Sequence, residues 1–192
     1  MNKYLEFYKP FLEYIDSGNL FRTPFSWLYA VFAGLNLLFP VIVLYVAIDN
    51  RLFSMGASFF FGVILLLVFI VAACWLGFQI WWNRRRVLLS HISNDAEFVA
   101  TPVFCHFIQT FGEWLGSFMA IVGAGAGLIT GIFMGGRNMS YLFPIPFLGG
   151  GFISVLLMPI LGFLIIVLSR FIAEQWRALA AIANNTKPVK PV

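Results

Sequence analysis

The side chains in this sequence that are able to do chemistry gather in one short run, CHFIQTFGE, which sets Cys105, His106, Gln109, Thr110 and Glu113 close together. A thiol beside an imidazole invites comparison with a nucleophile and its base. Consecutive side chains on a helix point apart, however, so adjacency alone cannot pair Cys105 with His106. His91 is the one other histidine, and neither histidine stands at metal-ligand spacing from Cys105 or from a second histidine. No serine occupies a Gly-x-Ser-x-Gly elbow. No catalytic constellation emerges, so an enzyme is not expected, and neither a metal nor a cofactor is called for. If a helix starts near Pro102, then His106, Gln109, Thr110 and Glu113 share one side of it and form a polar mouth for an ion or solute path. The structural alternative is a capping box: Thr110 caps a helix that starts there, and Glu113 reaches back to its amide beside the positive end of the macrodipole.

The helix that holds that run must also accommodate a series of small residues. Gly112, Gly116, Ala120, Gly123, Gly127 and Gly131 recur at three- and four-residue steps, which lines them up on one side of a helix. In water each glycine would cost a helix up to about 1 kcal/mol. In lipid every backbone group must bond within its helix, and hydrophobicity does not draw helices together, so a smooth face that admits a neighbouring backbone becomes a main source of attraction. The stripe is therefore a helix-packing face, within the chain or towards a copy of it or another membrane subunit.

Composition assigns the elements to a membrane: of 192 residues 61% are hydrophobic and only 10% charged, far from the soluble average. Charge-free stretches of spanning length predict an all-α polytopic protein with four transmembrane helices, at about 25–48, 55–82, 114–134 and 147–169. Residues 83–111 form a loop between the second and third spans, and 170–192 a tail. Residues 1–22 form a separate amphipathic segment, with Leu5, Tyr8, Phe11, Leu12 and Ile15 at helical spacing, suited to lie in the membrane interface. Thr23 and Pro24 supply an N-cap and first helical position for the first span. Of the Lys and Arg residues only Arg51 and Arg137 fall on one side of these spans, so the positive-inside rule places both termini in the cytoplasm. That rule also accounts for the net charge of +4 without a nucleic-acid partner. Arg84, Arg85, Arg86, Arg170 and Arg177 collect at the cytoplasmic helix ends, where they meet anionic headgroups of membrane lipids or make a platform for a partner.

Two similar starts, TPFSWL at Thr23 and TFGEWL at Thr110, suggest two duplicated hairpins of the same orientation. A competing register aligns Thr23-Pro24 with Thr101-Pro102 and makes the third helix much longer. At these residues, TPFSWLYAVFAGL and the closing RFIAEQWRALAAIANN, the chain resembles an uncharacterised family of small bacterial two-helix membrane proteins. The resemblance implies a bacterial source and points to no particular activity; in a bacterium, spans of this kind lie in the inner membrane. Three functions are then in competition: an assembly or accessory subunit held by the glycine face, a small transporter or channel fed by the polar mouth, and a lipid-binding protein.

Overall fold

The computed structural model describes residues 8–10, 19–90, 100–133 and 151–186. Four helices carry nearly all of them: α1 (Asn19–Asp49), α2 (Ala57–Ser90), α3 (Ala100–Phe133) and α4 (Phe152–Asn185). Each contains a stretch long and apolar enough to cross a membrane. The chain is an integral membrane protein, and no strand occurs among the described residues. Of the expected interfacial segment at 1–22, residues 8–10 and 19–22 are described; both are helical, and 19–22 already belong to α1. His91, the connection between α3 and α4 at 134–150, and the tail beyond Thr186 lie outside the described residues.

Two local expectations fail. Because α1 already begins at Asn19, Thr23 is not its cap, and Pro24 sits inside the helix. Because α3 begins at Ala100, Thr110 lies about three turns inside it, and the capping box does not form. Residues 83–90 continue α2 and 100–111 open α3, so most of the expected 83–111 loop is helix. Arginine and leucine are good helix formers, and Leu88, Val103 and Cys105 are buried, so packing rewards continuation at both places. Pro40 and Pro159 sit within α1 and α4, which run past them unbroken. Between α1 and α2 the chain reverses through Arg51 at φ 51°, a 3-10 turn at Leu52–Ser54, and Gly56 at φ 112°, where the missing side chain permits the left-handed backbone.

The helices alternate in direction and stand in an open arrangement. α2 packs on both α1 and α3, α3 packs along α4, and α1 touches α3 only lightly. The carboxyl ends of α2 and α4 meet the first half of α3. At about 1.5 Å per residue, α2, α3 and α4, with 34 residues each, are about 51 Å long. The hydrocarbon layer is about 30 Å thick, and even a tilt of about 40° leaves these helices too long for it. Residues 113–133 of α3 cover about 30 Å and residues 152–170 of α4 about 27 Å. In helices standing upright, about one hydrocarbon thickness separates Glu113 and Arg170 from the far ends of their helices.

Candidate functional site: a carboxylate shared by three helices

Glu113 points from α3 into the crevice between α2 and α4, and its side chain is only 12% exposed. From α2, Arg84 reaches both its oxygens, with Nη2 donating at 2.7 Å to Oε1 and 2.6 Å to Oε2, and Nε at 3.2 Å to Oε2. From α4, Arg170 donates at 2.7 Å to Oε1. Gln109, one turn earlier on α3, donates to the same oxygen at 3.3 Å, and its own Oε1 accepts from Arg177 at 3.0 Å. A partly buried carboxylate is costly without compensation, and here charge-assisted donors from two helices supply it. Glu113 is thus the polar tie between α2 and α4, which otherwise have no extensive contact.

A second chain of polar groups faces α1. Thr110 donates to the His106 carbonyl at 2.7 Å. Tyr29 of α1 lies 2.8 Å from His106 Nδ1 and 3.4 Å from Thr110 Oγ1. The three groups form one chain if Nδ1–H donates to the phenol oxygen and the phenol donates to the threonine, while His106 Nε2 is buried with no hydrogen-bond partner among the described residues. Below them the wall is aromatic. Trp81 and Tyr29 are fully buried and meet edge to face at 5.0 Å, and Phe32 stacks on Trp81 at 4.7 Å. Asn36, deeper in α1, donates to the Phe32 carbonyl of its own helix at 2.8 Å and accepts from Trp114 Nε1 at 2.9 Å, the bond that ties α1 to α3 there.

The glycine face is occupied by α4. A Cβ on Gly116 would run into the backbone carbonyl of Gly162, and one on Gly162 into that of Gly116. Gly112 lies against Ser169, Gly123 against Met158, Gly127 against Gly151 and Ser154, and Gly131 against the Phe152 ring; Ala120 lies beside Gly162. The six small residues therefore form an intrachain packing face.

Residues expected to serve separate purposes thus converge: His106, Gln109, Thr110 and Glu113 share a side of α3, and Arg84, Arg170 and Arg177 come to it. Arg85 does not; it donates to Ser26 of α1 at 3.1 Å and lies over the Trp82 ring at 5.3 Å. Arg86 is exposed on α2. Tyr29, Trp114 and Gly162 were not singled out by sequence. For Gly162 a signal existed, since Ser154, Met158, Gly162, Ser169 and Ala173 repeat at helical spacing with mostly small side chains. A lateral groove of about 330 Å³ opens between α1 and α3, lined by Phe32, Phe39, Ile42, Cys74, Trp114 and Phe118 among others. No protein-family model, curated protein or solved structure matches the chain.

Proposed function

We propose that this protein is a non-enzymatic assembly or accessory subunit of a bacterial inner membrane, with the arginine-bearing helix ends in the cytoplasm, and that it docks through those ends. The glycine face, the first choice for such a contact, is taken up by α4. The observation that carries the reading is on α4 past Arg170, where Phe171, Ile172, Trp176, Leu179 and Ile182 form an exposed apolar stripe. Within lipid such a stripe would need no cover. Leu179 and Ile182, however, lie about 14 Å and 18 Å beyond Arg170 at 1.5 Å per residue, past the hydrocarbon layer. Apolar surface standing in water marks an interaction site.

The transporter reading has less support. From Glu113 towards the opposite helix ends, the described spans carry no charged side chain short of Asp49, the last residue of α1, whereas ionisable groups within spans usually mark ion pathways. The groove between α1 and α3 favours a second reading, in which an acyl chain of a membrane lipid is held against the aromatic wall. Native mass measurement in mild detergent tests both. Wild type is expected to run above the monomer mass, and Leu179→Glu with Ile182→Glu to run as a monomer with an unchanged unfolding temperature. A monomeric wild type, or a variant that keeps its association, overturns the docking reading. Lipid that stays bound until Cys74→Trp fills the groove supports the second.

A further inference from the structure

We infer that the partner covering the projecting stripe of α4 is the α4 helix of a second copy of this chain, in a parallel two-stranded coiled coil. This rests on the docking reading and names the partner. With Ile172 at heptad position a, Gln175 falls at d, Leu179 at a and Ile182 at d. Phe171 and Trp176 flank this seam at g and e. The charged residues beyond Arg170, Glu174 and Arg177, both fall at the outer positions c and f. All five large apolar side chains of the projection thus lie at the four positions a coiled coil buries, and its charges at those it leaves wet.

The identity of the partner rests on three further features. First, the seam faces away from α3: Ser169 and Ala173, on the other side of α4, are buried, whereas Ile172, Leu179 and Ile182 are 36%, 58% and 59% exposed. Continuing the same heptad backwards, Leu168 at d is also exposed, while Ile165 at a and Leu161 at d are half-buried. Second, the flanking positions Phe171, Trp176, Ala178 and Ala183 carry no charge. A foreign helix is usually selected by complementary charges at those positions, and a self-complementary contact needs none. Third, two copies inserted in one membrane share an orientation, so their α4 helices are parallel and at the same depth, as a two-fold axis along the membrane normal requires. That axis brings the two Gln175 side chains face to face, where each amide donates to the other. A lone polar residue at the seam fixes register at some cost in stability.

Cysteine cross-linking in native membranes tests the seam, using the full-length protein with Cys74→Ala and Cys105→Ala, its folding checked by thermal unfolding. Under mild oxidation, Gln175→Cys and Leu179→Cys should yield at least about tenfold more covalent dimer than Glu174→Cys and Ala181→Cys at the outer c positions. Equal cross-linking at all four positions would mean random collision and overturn the seam. No cross-link at 175 and 179, with a wild-type mass that includes a different subunit lost on Leu179→Glu, would overturn the second copy and leave the docking reading standing. A wild type that is monomeric by native mass and uncross-linked would end both.

Discussion

Glu113 answers to two arginines from different helices, and its replacement exposes how much that costs. Glu113→Gln keeps shape and reach and would be nearly silent in a capping box, where glutamine serves as well as glutamate. Here it removes the charge that Arg84 and Arg170 share. Arg170 is 53% exposed and can turn to water, while Arg84, at 30%, can do so less readily. Exposure of the arginines keeps the penalty below that of a fully buried broken pair. Glu113→Gln is therefore expected to lower stability by about 2 kcal/mol, against under about 0.5 kcal/mol for Glu174→Gln on the exposed side of α4. Thermal unfolding of both in one detergent gives the comparison, and equal unfolding temperatures would refute the tie.

Between elements, the contact of α3 with α4 depends on what is missing from Gly116 and Gly162. Alanine usually improves a helix over glycine by up to about 1 kcal/mol. At Gly34 on α1 a Cβ meets nothing within 4 Å, so Gly34→Ala should be neutral or slightly stabilising. At Gly116 it meets a backbone carbonyl, which cannot step aside as a flexible side chain can. The helices must separate, with a cost of about 1–3 kcal/mol for overpacking that outweighs the propensity gain. Gly116→Ala should accordingly unfold at lower temperature than wild type and Gly34→Ala should not.

For the whole molecule, four helices of alternating direction set Arg51 and the end of α4 on opposite faces of the membrane. Arg51→Cys and Ala181→Cys, each in the background free of Cys74 and Cys105, should label with an impermeant thiol reagent from opposite sides, the second from the cytoplasm. Labelling of both from one side would refute the four-span arrangement. The open order of the helices also explains the division of labour in the molecule. Among the described residues α3 is the only helix that packs extensively on α4, so the small-residue face and the Glu113 tie together hold α4 in place.

The helical class and the presence of four helices long and apolar enough to span a membrane were legible in the sequence. Hydropathy is a local property, and lipid leaves a spanning chain of this kind little choice but helix. The small-residue stripe was legible for the same reason, since helical spacing alone puts Gly116, Gly123 and Gly127 on one side. The start of α3 was left between two registers: the Thr110–Glu113 capping signal, worth about 1 kcal/mol, lost to the longer helix that opens beside Thr101-Pro102, whose early residues Val103 and Cys105 are buried against neighbours. Nor was the sharing of Glu113, because Arg84 and Arg170 stand 29 and 57 positions away. In spans that are apolar on every side, no periodicity records which face meets which helix. That choice belonged to the tertiary structure, where backbone approach at Gly116 and Gly162 and the pairing of a few charges at one end decided which helices touch.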